Sequence, residues 1–421
     1  MKPRLPILLV IALLCCWTLP SFAASPWYID DHKSGNPYTW AGGTVIWYSE
    51  KAGLGPLSET DVMKVVQDSF DVWAKAGLTL PGLVKVPTAQ VFAKQGGVVT
   101  TEVNNLASVQ KLLNQQKTVI VMDDAGTFTE ALGGDPDKVA AMTFLGGSNL
   151  DAATLTIKAA FTVLNGRFLK GANKSDPNDS KIQMFRATVI HELGHLFNLD
   201  HSGVNADLFG DVLKDPQLSQ ALPTMYPIIA TPDQSTLHWD DVVAISNLYP
   251  RAEYKTKFCE LAGTLIGSDN LGFQGAQVVA RSTLDPLIVS VSAITGNSYP
   301  QDTADGSYIL RGIIPGVAYE VFYEELNPAF TGASAIQPYG DDDGEKPRAG
   351  FGADLITAGN GKATKVQCQQ GGETLLMDTV QLSVPAGGVP PKNSLVDAPP
   401  PPETSESGSG AAAKGCSLIL Q

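Results

Sequence analysis

The sequence predicts an α+β fold, with a mixed unit of helices and strands over about 24–252 and an all-β sandwich over 253–384. Three observations predict it. Apolar residues recur at helical spacing in two long stretches of the first part, short β-branched and aromatic runs separate them, and helical periodicity disappears beyond Arg251. Taken in order, residues 43–48 (Gly-Thr-Val-Ile-Trp-Tyr) read as a strand. Ser58 caps a helix over 58–76 in which Val62, Val65, Val66, Ser69, Phe70 and Trp73 share one face. Residues 118–122 and 155–159 read as further strands, 179–197 as a second strong helix and 239–248 as a short third one. Beyond them, short β-like runs alternate with Gly, Pro, Asn and Asp turns, the texture of a small sandwich. The stretch 385–421 is rich in Pro, Ser, Gly and Ala and reads as a disordered linker ending in an apolar tail.

Composition bounds the partners. A hydrophobic content of 43% with 17% charged residues suits a chain that folds around a sizeable core. The formal charge of -14 excludes a nucleic-acid partner, because a phosphate backbone needs a basic face. Lys2 and Arg4 precede an almost unbroken apolar run over 5–19, and Ser21-Phe22-Ala23 puts small residues where a signal peptidase reads. Residues 1–23 are therefore read as a signal peptide and the protein as exported. No second stretch is apolar for long enough to span a bilayer, so the mature chain is expected to be secreted or attached to a cell surface. Cys15 and Cys16 leave with the signal, and two of the remaining Cys259, Cys368 and Cys416 can pair. Cys259 and Cys368, near the first and last strands of the sandwich, are the expected disulfide.

The chemistry is concentrated in residues 191–202, His-Glu-Leu-Gly-His-Leu-Phe-Asn-Leu-Asp-His-Ser. On a helix His191 and His195 project from one face, one turn apart, so both imidazoles can meet one zinc ion. Glu192 sits beside the first ligand, within reach of a metal-bound water. His201 would lie roughly 240° further round the axis if the helix continued, so the chain must break and turn back before it. Asn198 is placed for that break, since Asn tolerates the left-handed conformation that ends helices. A bare His-Glu-x-x-His can be no more than a solvated helix face. Here three of the five histidines in the chain fall within eleven residues at ligand spacing, which favours the metal.

The segment resembles the metzincin signature His-Glu-x-x-His-x-x-Gly-x-x-His, and its Leu-Asp-His-Ser ending is similar to the matrixin branch. Asn198 stands where the family has Gly, and can adopt the same backbone. Met225, in Leu-Pro-Thr-Met-Tyr-Pro over 222–227, resembles the Met-turn of that group, which implies that it supports the metal site from below. Residues 39–48, the 58–73 helix and 237–249 look like the opening strand, first helix and closing helix of matrixin catalytic domains. The resemblance implies an endopeptidase with one catalytic zinc on His191, His195 and His201. Glu192 would be the general base for hydrolysis of a protein or peptide by a zinc-bound water. Departures from the family are an insertion around 207–220, a proline at 227 and too few histidines (only His32 and His238 remain) for a second, structural zinc. No cysteine-switch segment precedes the first strand.

The β region from about Cys259 to Cys368 looks like the transthyretin-like modules appended to secreted peptidases, a role in stabilising or docking. All residues assigned to chemistry precede Arg251, so the catalytic unit is expected to be separable from it. Two acidic turns, 123–127 and 341–345, read as exposed charged loops, with Ca2+ as the alternative. Cys416 does not fit a prenylation box. The competing function is a surface-binding or adhesion protein whose zinc domain is catalytically silent; the intact ligands and Glu192 favour the enzyme.

Overall fold

A computed structural model describes residues 26–28, 36–78, 86–99, 103, 105–273, 275–295, 306–325, 352–358, 364–386 and 415–419. The expected signal peptide, His32 and the acidic 341–345 turn lie outside them.

The first part is built around one twisted sheet. Its elements in chain order are β1 (Thr44–Ser49), α1 (Glu59–Ala74), β2 (Phe92–Val98), α2 (Leu106–Leu113), β3 (Thr118–Asp123), β4 (Val139–Phe144), β5 (Phe161–Asn165), α3 (Ser180–Leu196) and α4 (Trp239–Leu248). Strands β2, β1, β3 and β5 are mutually parallel, and β4 is antiparallel to β5. Alternation along β3 and β5 explains how both faces are buried. Ile120, Met122 and Leu164 join the core beneath α1 and α3, whereas Val119, Val121 and Val163 pack with Val109, Leu112 and Leu113 of α2.

The three expected helices form. Ser58 closes a reciprocal cap with Asp61 at the start of α1, and Asp179 accepts from the Ile182 amide at the start of α3. The anticipated strand over 155–159 shrinks to Thr156–Ile157, because Leu155 takes a left-handed backbone with φ of 52°. The inserted stretch forms short turns of helix at Ala206–Leu208, Phe209–Val212 and Pro216–Leu218.

The second part holds two four-stranded sheets. Strand β6 (Cys259–Ile266) is central to one, and β7 (Gln277–Ser282) and β8 (Ser290–Ile294) belong to the other. They continue with β9 (Ser307–Ile313), β10 (Tyr319–Glu324), β11 (Asp354–Ile356), β12 (Thr374–Leu376) and β13 (Val380–Gln381). Strand β6 is flanked by β9 and, in parallel, by β12 and β13; the other sheet runs β8-β7-β10-β11. Cys259 and Cys368 form the expected disulfide, with Cα atoms 6.5 Å apart.

Two further features depart from the sequence reading. Helix α4 and the sandwich share one continuous core: Trp239 Nε1 donates to Gly312 O at 3.0 Å, and Gly312 (φ 73°) lies so close to Val243 that a Cβ would overlap it. The tail, expected to lack regular structure, contributes β14 (Gly415–Ile419), which pairs antiparallel with β4. Its β-prone run of Cys, Ser, Leu and Ile meets a sheet edge with backbone groups to pair. No helix among the described residues is long and apolar enough to cross a membrane.

Candidate metal centre

Helix α3 carries His191, Glu192 and His195 into the interior, where all three are at most 1% exposed. The helix ends as its sequence requires. Asn198 has φ of 72°, its amide donates to His195 O at 2.8 Å, and the Leu199 amide donates to Gly194 O at 3.0 Å. This pair of bonds around a left-handed residue is the Schellman arrangement, here with Asn in the place Gly usually takes. The chain then reverses and returns His201 to the other two rings, with centroids 4.7 Å from His195 and 5.3 Å from His191. One nitrogen from each of the three rings lies within 4.8 Å of the others.

The ring orientations test whether a metal fits. His191 Nδ1 lies 2.7 Å from Thr224 O, and His195 Nδ1 lies 2.8 Å from Leu199 O. A carbonyl oxygen only accepts, so each Nδ1 carries the proton and each Nε2 is left with a lone pair. Those two Nε2 atoms face each other at 3.0 Å. Two lone pairs at that distance repel unless a cation lies between the rings. Burial pushes His191 down to about 4 and His195 well below the usual imidazole range, His195 also through its two histidine neighbours, so a shared proton is disfavoured. The three histidines could therefore hold a metal ion.

Glu192 is buried completely, and neither carboxylate oxygen reaches hydrogen-bonding geometry with a described group. Burial pushes its carboxyl well above the usual range, opposed by the nearby hydroxyl and amide of Thr143. Thr143, at the end of β4, also donates its hydroxyl to the backbone carbonyl of Glu192 at 2.9 Å. An unpaired buried carboxylate is costly, and persists where a ligand or water completes it.

Met225 is fully buried and packs against α3 at Gly194. A Cβ built on Gly194 would overlap Met225 Sδ and the Trp73 ring, so glycine is required between His191 and His195 for that approach. The supporting polar shell was invisible in the sequence. Asp241 accepts from the amides of Thr224 at 2.8 Å, Met225 at 2.9 Å and His238 at 2.8 Å, which fixes the carbonyl that orients His191. Asp240 accepts from Ser202 Oγ at 2.6 Å and from the Ser292 amide of β8 at 2.7 Å, tying the turn after His201 to the sandwich. His238 caps α4 and donates through Nε2 to Leu287 O at 2.7 Å.

In the acidic turn after β3, Asp123 accepts from the Thr129 amide and hydroxyl and Asp124 from the Gly55 amide, so both carboxylates are engaged by protein donors.

No family model matches the sequence, and neither does any curated protein. Among solved structures the chain is weakly similar to the dioxygenase domain of a dioxygenase carbohydrate-binding protein fusion from the cellulolytic bacterium Streptomyces sp. SirexAA-E. Identity is 13%, coverage is 32% of this chain and 84% of that one, and the TM-score is 0.16, too low to carry an argument.

Proposed function

We propose that the protein is an exported zinc-dependent endopeptidase of the metzincin type, with a catalytic unit over 24–252 and the sandwich as its accessory module. The observation that carries this reading is the pair of unprotonated Nε2 atoms 3.0 Å apart, with a buried carboxylate next in sequence whose oxygens reach no hydrogen-bonding geometry with a described group. A neutral three-imidazole set suits zinc and leaves a coordination position free. Zinc held there would supply a Lewis acid and lower the pKa of a bound water towards about 7.

The residues of the chain then divide the remaining work. Glu192 takes a proton from the attacking water and returns it to the departing amine; a carboxyl raised by burial is suited to both steps near neutral pH. Thr143 holds the Glu192 backbone, the carbonyls of Thr224 and Leu199 hold the rings of His191 and His195, and Met225 braces the helix at Gly194. Asn198 places His201.

The test is cleavage of an unstructured protein, abolished by a chelator and restored by zinc. In the Glu192→Ala variant the histidines remain, so about one equivalent of zinc should stay bound while turnover falls on the order of a thousandfold or more. Retention of more than a tenth of the activity would remove Glu192 from its role. Absence of any chelator-sensitive cleavage would remove the peptidase reading.

A further inference from the structure

We propose that residues 415–419 dock in cis on the outer edge of β4, so that this chain's own β14 competes there with peptide substrates. The proposal rests on the peptidase reading above for the word substrate, while the docking itself stands on the backbone.

Strand β4 pairs with β5 along one side only, and its other side would present unpaired N–H and C=O groups, the template onto which an extended peptide adds. Strand β14 fills that side antiparallel, in the register Gly415 to Phe144, Cys416 to Thr143, Ser417 to Met142 and Ile419 to Val139. Thr143 is the residue whose hydroxyl bonds the Glu192 backbone. The backbone at Cys416 therefore runs opposite the β4 position that touches the general base. A peptide pairing along this edge would run opposite Thr143 as well, and β14 holds that place.

The docked segment is built to be displaced. Its register slips between Ser417 and Ile419, so the ladder is interrupted, and a peptide pairing along all of β4 would make more bonds. The preceding sequence, 387–414, is dominated by Pro, Ser, Gly and Ala. For a Gly- and Ser-rich sequence of that length, random-coil statistics give a reach of roughly 30 Å and an effective concentration in the millimolar range. A weak five-residue strand is thus kept at the edge by its tether until a better-paired chain replaces it.

The experiment uses the full chain with Cys416→Pro and Ser417→Pro together. Successive strand amides point to opposite sides, so one of the two prolines removes an N–H facing β4 whatever the exact register. Deuterium uptake by those amides of 139–144 that face β14, and not those bonded to β5, should rise at least tenfold in this variant; it requires no catalysis. In a Glu192→Ala background, where a bound peptide is not cut, an unstructured fluorescent peptide should bind at least fivefold more tightly to the doubly substituted chain. Unchanged exchange or unchanged affinity overturns the proposal, and protection that grows with protein concentration overturns the intramolecular arrangement. If both results are as expected but the chain with Glu192 intact does not cleave the peptide, the peptidase reading falls and the docking stands.

Discussion

Asn198 does more than turn the chain. Its Oδ1 accepts from the Tyr28 amide at 2.7 Å, and its Nδ2 donates to the carbonyls of Tyr28 and Tyr38, each at 2.8 Å. Glycine in this place would keep the left-handed turn but remove those three side-chain hydrogen bonds. Asn198→Gly should therefore retain zinc yet lose about 2 kcal/mol of stability in urea, whereas Asn198→Val should lose both through strain at a β-branched residue with positive φ. Equal behaviour of the two would disprove the assignment. A second expectation concerns Asp241, which burial pushes up to about 7 from an ordinary value of 3.8. Between about pH 4 and 7 the folded chain keeps a proton there that the unfolded chain has lost, so this group's contribution to stability declines as pH rises. In metal-free protein the stability difference between Asp241→Asn and the unsubstituted chain should shift towards the variant across that window and level off above it. The residues that would meet the metal were legible because helical spacing and one breaker fix them within eleven positions. Thr143, Thr224, Asp240 and Asp241 were not, because they reach the site from elements distant in sequence and carry no spacing signal of their own.

Among the elements, α1, α3 and α4 were legible from apolar periodicity and caps. Strands β4 and β5 were not, for a physical reason: both are buried on two faces along their whole length, so their sequences lack the alternation that marks a half-exposed strand. Strand β2 was hidden the other way, since its Lys, Gln and paired Gly residues are largely exposed at the sheet's far edge. The disulfide belongs to this scale as well. Cys259 opens β6, and Cys368 precedes β12, the strand that runs parallel to β6. It closes a span of 109 residues, for which the chain-entropy account gives about 4–5 kcal/mol. Replacing both cysteines by alanine should lower the unfolding free energy by about that amount in urea; an unchanged midpoint would show that the sandwich is held without it.

At the level of the whole molecule, the expectation that the catalytic unit could be cut away at about residue 253 meets a shared core. Trp239, Val243 and Asp240 all find partners in the sandwich, as do Gly203, whose carbonyl accepts from Gln277, and Asn205, which bonds Arg281 and Leu287. A chain ending near 253 would expose Trp239 and leave the Asp240 carboxylate short of two hydrogen bonds from Ser292. It is expected to aggregate, or to lose most of its zinc affinity, by light scattering and metal analysis. A monodisperse, zinc-loaded fragment would restore the independence that the sequence suggested.

The Ser202–Asp240–Ser292 bridge has a thermodynamic consequence for the protein in its working state. The turn that delivers the third histidine is shaped partly by a strand more than ninety residues further along the chain. Whatever free energy the intact sandwich adds to ion capture, ion capture must return to the sandwich, because linkage between two equilibria is reciprocal. If the three histidines hold an ion, the sandwich is a reporter of its occupancy. A contact made on its outer surface would then be felt at the histidines as a change in metal affinity, with no atom of the visitor near them.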